Sequence, residues 1–315
     1  MKRILLVKTS SLGDVVHNFP VASDIRRRFP DAEIDWVVEE AFVSLVRMHP
    51  AIRRVLPVAL RRWRKSPLSV RTWEEFSRGR AAIATETYDA IIDTQGLVKS
   101  ALIACLANGP RHGYDASSAR EPLASRLYRF RHSVALGGHA VGRNRRLAAL
   151  SLGYEADSPP DYGLLAQAAR GAESRAMSVV LLHSTSRADK LWSESRWIDL
   201  GGRLEAAGLR CILPWGSEDE FARSRRIASG LAHAEVPDRL SIPQMAGLLA
   251  QAWAVVGVDT GLVHLAAALG TAVVALYMGS DPLLTGVCSN GNATNLGSPG
   301  REPDVGEVLA ALNIR

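Results

Sequence analysis

The sequence predicts an α/β protein of two doubly wound domains, each a parallel sheet with helices on both faces. Short β-branched runs alternate with helix-period tracts in both halves of the chain. Between the halves, residues 153–163 contain Pro159-Pro160 and few periodic apolar positions, as an interdomain linker would. At 315 residues the chain is long enough for two domains of ordinary size, which we place at 1–155 and 156–315.

In order, residues 4–8 read as a strand, 15–29 as an amphipathic helix entered through Gly13-Asp14, 34–38 as a strand and 42–48 as a short helix. Residues 55–58 and 90–93 are further strands. The latter leads through Thr94-Gln95-Gly96 into a helix over 97–106, and another helix ends near Leu152. The second half gives strands at 179–183, 211–213 and 255–258, with helices at 194–207, 219–231 and 243–252. Asp259-Thr260-Gly261 reads as a turn, and the Leu/Ala-rich tract after it as a helix stopped at Gly270. A strand over 272–277 and a tail helix over 305–312 complete the pattern. Residues 262–279 are uncharged for about the length of a membrane span, but Gly270-Thr271 splits them into helix and strand.

The three cysteines, Cys105, Cys211 and Cys288, are widely spaced and odd in number, which implies neither a disulfide framework nor a metal site and suits a reducing compartment. The apolar run after Met1-Lys-Arg is too short for a signal peptide. The net charge of +6 is uneven: between Arg53 and Arg80 nine basic residues face only Glu74 and Glu75, and Arg61-Arg62-Trp63-Arg64-Lys65 is the densest part. That segment is expected to face an anionic partner or to be a solvated face.

Four stretches at strand ends can carry chemistry. The start of the helix after Val255–Val258 offers amides at Thr260, Gly261 and Leu262 to a phosphate, unless Asp259 or Thr260 merely caps it. Lys8-Thr-Ser-Ser-Leu-Gly-Asp14 lacks the G-x-G-x-x-G of a dinucleotide fold, and no P-loop occurs anywhere. Asp14 fits either a helix cap or a general base presented at a strand end. In His183-Ser-Thr-Ser-Arg-Ala-Asp-Lys190, hydroxyls followed by Lys190 suit a diphosphate. In Pro214-Trp-Gly-Ser-Glu-Asp-Glu220, an acidic residue can bind ribose hydroxyls or favour the helix N-terminus.

Seven stretches in the same order resemble the lipopolysaccharide heptosyltransferase I family of glycosyltransferase family 9 over nearly the whole chain. They are Lys8-Thr-Ser-Ser-Leu-Gly-Asp14, Trp36-Val-Val-Glu-Glu40, Arg61-Arg-Trp-Arg-Lys65, Gln95-Gly-Leu-Val-Lys-Ser100, Ala119-Arg-Glu-Pro-Leu-Ala-Ser125, Pro214-Trp-Gly216 and Asp259-Thr-Gly-Leu-Val-His264. The resemblance implies the GT-B fold, two Rossmann-like domains facing a central cleft. It implies an inverting transfer of L-glycero-D-manno-heptose from ADP-heptose to the 5-hydroxyl of the inner Kdo of Kdo2-lipid A, at the cytoplasmic face of the inner membrane. The family motif for the catalytic base falls on Asp14, with Lys190 stabilising the leaving diphosphate. Donor positions fall on Thr185, Ser186, Lys190, Glu220, Leu240, Asp259, Thr260, Gly261 and His264, and acceptor positions on Lys8, Arg61, Arg62, Arg64 and Arg120. ADP-heptose is a substrate in this scheme; no cofactor, metal or nucleic acid is implied.

The chain departs from the family at Leu240, where methionine is common, and at Met278-Gly-Ser-Asp-Pro282, where Gly-Pro-Thr-Asp-Pro is usual. Two other readings fit the residues: a related enzyme that adds a later heptose or another sugar, and a non-enzymatic nucleotide- or nucleic-acid-binding module. Few aromatic platforms besides Trp63 and Trp73 stand among the basic residues, which disfavours the nucleic-acid reading.

Overall fold

The computed structural model describes residues 2–164, 176–288 and 292–314. The chain forms two compact units, Met1–Gly163 and Leu164–Arg315. In the first, β1 (Arg3–Val7), β2 (Glu33–Glu39), β3 (Ile52–Val58), β4 (Ala90–Asp93), β5 (Arg111–Tyr114) and β6 (Phe130–His132) form one sheet in the order β3-β2-β1-β4-β5-β6. Every pairing in it is parallel, with Leu6 opposite Trp36 on one side and Ile92 on the other. Helices cover both faces of such a sheet, so its central strands are apolar at successive positions rather than alternating. Ile4, Leu5, Leu6, Val7, Ile91 and Ile92 are accordingly all fully buried.

The helix expected over 15–29 is two helices, Leu12–Val16 and Phe19–Arg28. Pro20 explains the break: it lacks an N–H and sits in the first turn of the second helix, where that donor has no intrahelical partner. The break at His17-Asn18 brings Ser11 and Asp14 to a short helix of their own at the end of β1.

Residues 156–163 pack with the first unit, so the units divide at Gly163/Leu164 rather than at 155/156. Arg28 reaches Asp157 at 3.0 Å and Arg145 reaches Ser158 at 3.2 Å. Gly163, at φ +69°, lies so close to the His49 ring that a Cβ there would meet Nε2 at 2.5 Å.

In the second unit, β7 (Ala176–Leu182), β8 (Arg210–Ile212), β9 (Ala252–Val258), β10 (Ala272–Tyr277) and β11 (Ala293–Gly297) form a parallel sheet in the order β11-β10-β9-β7-β8. Its core includes Val179, Leu181, Val256 and Leu276 under Trp192 and Trp197, whose rings meet edge to face at 5.0 Å. Gly270, at φ +78°, ends the helix Gly261–Ala268 before β10 begins, as its sequence predicted. No helix among the described residues is long and apolar enough to cross a membrane.

Both sheets reverse their strand order once. The first grows from β1 to β2 and β3 on one side and through β4, β5 and β6 on the other; the second grows from β7 to β8 and, oppositely, through β9, β10 and β11. At such a switch point the loops leaving two adjacent strands diverge and open a crevice at the strands' carboxyl ends. The loops in question are those after β1 and β4, and those after β7 and β9.

Candidate active site

At the β1/β4 switch point the loop after β1 is clamped to the loop after β4. The Gln95 side-chain oxygen accepts from both Thr9 N–H and Thr9 Oγ1 at 2.7 Å, while Gln95 Nε2 donates to Ser10 O at 3.0 Å. Gln95 is held in turn by the buried Asp93, which accepts its N–H at 2.8 Å and also takes Ser100 and Tyr128 hydroxyls at 2.7 Å. This rigid loop presents Asp14. Its Oδ2 accepts from Ser11 N–H at 3.1 Å, closing a capping box. Its Oδ1 faces two cations, Arg120 at 3.1 Å and Lys8 Nζ at 3.9 Å. The cap and base readings therefore use different oxygens of one carboxylate.

Burial pushes the Asp14 carboxyl up, but Lys8, Arg120 and the Ser11 amide outweigh it, and the group is held below its ordinary value. Lys8 is buried and donates to Thr94 O at 3.0 Å. Desolvation lowers its ammonium to about 8, against the attraction of Asp14. Asp14, Lys8, Gln95, Tyr114, Arg120 and Arg143 line a small cavity of ≈ 20 Å³, about enough for one water molecule.

The basic segment begins at the same edge of this sheet. Glu39, at the end of β2, donates its N–H to Thr9 O at 3.0 Å and accepts Arg61 N–H at 3.0 Å, so the helix Leu60–Lys65 starts beside the Asp14 loop. Sequence charge overstates what this segment offers a partner. Arg62 is bound by Glu40 at 2.9 Å and Glu75 at 2.6 Å, and Arg53 and Arg54 are engaged by Asp35, Glu33 and Glu86. Arg61 stacks over Phe42 at 5.8 Å, whereas Arg64 and Lys65 are exposed and make no ion pair among the described residues.

At the β7/β9 switch point the centre is Asp259. Its Oδ2 receives Lys190 Nζ and Ser280 Oγ, each at 2.5 Å; its Oδ1 lies 3.8 Å from His264 Nε2; and its backbone carbonyl accepts from Thr185 Oγ1 at 3.2 Å. Burial opposes the charge, but the bonds from His264, Lys190 and Ser280 prevail, holding this carboxyl far below the ordinary range. Its negative charge is thus matched locally by Lys190. The helix Gly261–Ala268 opens immediately after Asp259, with Thr260 extended at its N-cap and no side chain capping it. Asp259 is committed to Lys190 and Ser280 instead, so neither capping alternative is realised. Gly261 is the first helical residue and has no positive φ.

The sequence pattern of glycosyltransferase family 9 (heptosyltransferase) matches residues 77–310. The chain is 46% identical over 289 residues to lipopolysaccharide heptosyltransferase 1 of Salmonella typhimurium, covering 90% of each. It belongs to glycosyltransferase family 9. Its structure is similar to that of the E. coli heptosyltransferase WaaC with ADP, at a TM-score of 0.94 and 42% identity over 99% of both chains. The same enzyme with ADP-2-deoxy-2-fluoro heptose gives 0.90 and 41% over 99% of both. The chain is therefore a heptosyltransferase of the GT-B class, with two parallel sheets.

Within this family member, the expected positions group unevenly. Lys8, Asp14 and Arg120 come together in the first unit, and Thr185, Lys190, Asp259, Thr260, Gly261 and His264 in the second. No hydrogen bond or ion pair joins Ser186, Glu220 or Leu240 to the latter cluster among the described residues. Glu220 is instead tied to its own helix start, accepting Gly216 N–H at 2.7 Å. Leu240 is half-buried just ahead of the helix Ile242–Gln251. Ser280, within the departing Met278–Pro282 stretch, was not among the expected site residues. Its hydroxyl stands where the family usually has threonine, and that hydroxyl was the available signal. Gln95 and Asp93, which fix the Asp14 loop, were also missed: a buried glutamine gives no local pattern.

Proposed function

We propose that the protein moves L-glycero-D-manno-heptose from ADP-heptose, with inversion, to the 5-hydroxyl of the inner Kdo of Kdo2-lipid A at the cytoplasmic face of the inner membrane. The observation that carries this reading is an ionised Asp14 gripped by Lys8 and Arg120 at a switch point, in a chain so similar to lipopolysaccharide heptosyltransferase 1. Asp14 takes the acceptor hydroxyl proton as that oxygen bonds to the anomeric carbon from the face opposite ADP. The bond from the anomeric carbon to the diphosphate oxygen breaks, and its electron pair leaves with ADP. In this reading Lys190 and the uncapped amides at Thr260, Gly261 and Leu262 bear on the charge growing on that diphosphate. Thr185, His264 and Asp259 position Lys190, with Ser280 added to the set; Ser186, Glu220 and Leu240 complete the donor side. Lys8, Arg61, Arg64 and Arg120 serve an acceptor rich in carboxylate and phosphate, while Arg62, expected on the same side, is held by Glu40 and Glu75 and braces the helix that carries its neighbours.

Arg120 has two claims on it, Asp14 and the acceptor. When an acceptor carboxylate draws Arg120 away, Asp14 loses a cation and becomes a stronger base at the moment the hydroxyl arrives. The test of the function is mass spectrometry of Kdo2-lipid A incubated with the protein and ADP-heptose, with a gain of one heptose expected. Transfer only to an acceptor that already carries heptose would instead assign a later step.

A further inference from the structure

The hairpin formed by the helices Leu60–Lys65 and Val70–Ala84 holds three large apolar side chains out into solvent within six positions: Leu68 is 94% exposed, Val70 73% and Trp73 60%. Other exposed large hydrophobics among the described residues stand singly or, at Leu283-Leu284, as a pair. Sequence spacing explains the direction. The inner stripe of the second helix runs through Phe76 to Ile83, which is buried in the core beside β3, so Val70 faces away from it and Trp73 lies at its rim, one edge against Phe76 and the rest in solvent. The turn between the helices is built rather than frayed. Ser69 N–H donates to Ser66 O at 3.2 Å, Thr72 Oγ1 to the same oxygen at 2.8 Å, and Thr72 N–H to Ser69 O at 3.0 Å. Phe76 packs edge to face against both Trp63 and Trp73, at 5.8 and 6.0 Å. An ordered tip that displays Leu, Val and Trp marks an interaction surface.

Charge identifies the partner. Arg64 and Lys65, just ahead of the apolar tip, are exposed without an ion-pair partner among the described residues; Arg71 is shared with Glu75 at 3.0 Å, and Glu74 is the opposing carboxylate. A second copy of the chain would bring the same cations face to face. An anionic bilayer matches both features, since cations meet lipid phosphates while Trp and aliphatic side chains enter the boundary between headgroups and acyl chains.

We propose that residues 64–73 dock the protein on an anionic lipid surface through Leu68, Val70 and Trp73. The inference deepens, and rests on, the reading that the acceptor is a membrane lipid. It places the docking tip on the helix pair that begins beside the Asp14 loop through Glu39 and Arg61.

The experiment is co-sedimentation of the full chain with phosphatidylglycerol/phosphatidylethanolamine vesicles and with phosphatidylcholine vesicles, alongside transfer assays on lipid-embedded and on deacylated, water-soluble acceptor. The wild type is expected to bind the anionic vesicles, less so in high salt, and the neutral ones weakly. The triple variant Leu68→Ser, Val70→Ser, Trp73→Ser should lose about tenfold or more in vesicle affinity. It should keep its thermal melt and its transfer to the soluble acceptor. Independently of that variant, wild-type tryptophan emission should shift to the blue on anionic vesicles, and less so in Trp73→Phe. Wild type that ignores vesicles, or a triple variant that binds like wild type, overturns the docking proposal. So does a concentration-dependent dimer that the triple variant abolishes without any vesicle binding. Transfer to soluble acceptor without vesicle binding defeats docking alone, whereas vesicle binding without any transfer defeats the functional reading alone.

Discussion

At the scale of single residues, the chemistry turns on how two carboxylates are kept charged. Because Asp14 is held below its ordinary value by Lys8 and Arg120, it remains a base as pH falls, and activity is lost only as pH drops through that lowered value. If the acceptor takes Arg120, Asp14 is less depressed in the complex. The acid limb of kcat should therefore lie at higher pH than the acid limb of kcat/KM, which reports the free enzyme. Coincident limbs in a pH series would leave Arg120 on Asp14 throughout. Asp14→Asn should cost about 10²- to 10⁴-fold in kcat while ADP affinity by calorimetric titration stays near wild type, since the proposed donor contacts are in the second unit. Asp259 presents the opposite arrangement, a buried carboxylate matched by a half-buried lysine. Removing Lys190 alone leaves that carboxylate with Ser280 and His264 only, so Lys190→Ala should lower stability by about 1–3 kcal/mol as well as weaken ADP binding. Neutralising both, as Lys190→Met with Asp259→Asn, should return much of the melting temperature but none of the ADP affinity. Recovery of both together would make the pair purely structural.

At the scale of elements, what was legible followed burial. β1, β9 and β10 were readable because both their faces are covered, so each is written as an apolar run, and β2 as one interrupted by Asp35, which Arg53 and Tyr88 engage. β5, β6 and β11 went unread: Arg-His-Gly-Tyr, Phe-Arg-His and Ala-Thr-Asn-Leu-Gly are short, partly polar, and lie at or next to sheet edges, where pairing with a distant strand supplies most of the order. The Asp14 loop and the Asp259 turn were legible as strand-end motifs; the clamp from Gln95, 86 residues along the chain from Thr9, was not. The basic hairpin shows the same limit. Its excess charge was visible, but the pairing of Arg62 with Glu40, 22 residues away, was not. The three arginines should consequently separate on mutation. Arg61→Ala with Arg64→Ala should raise the acceptor KM and flatten its salt dependence. Arg62→Ala should chiefly lower the melting temperature, by releasing Glu40 and Glu75. Equal effects on KM from all three would mean that the ion pairs of Arg62 open for the acceptor.

At the scale of the whole molecule, the same device occurs twice: a parallel sheet whose strand order reverses, with a charged cluster at the reversal. The two clusters differ in a way that assigns their proposed roles. The first presents a carboxylate bracketed by cations, an arrangement suited to receiving a proton beside an anionic acceptor. The second presents a lysine and an uncapped helix start, with its carboxylate already paired, which suits an anion. ADP should therefore be felt locally. Bound at about 100 times its dissociation constant, it should stabilise the structure that holds it by about 2.7 kcal/mol. Hydrogen–deuterium exchange should show the slowing at residues 183–190 and 259–264 and leave residues 8–14 exchanging as before. Gly261→Val should abolish the slowing by crowding the phosphate path, with little change in the unliganded melt, because Gly261 is helical without a positive φ and valine's helix propensity is no worse than glycine's. Protection that appears first in the Lys8–Asp14 loop, or that survives Gly261→Val intact, would move the diphosphate away from the β7/β9 reversal. The donor role would then have to be sought among other anion-binding groups of the chain.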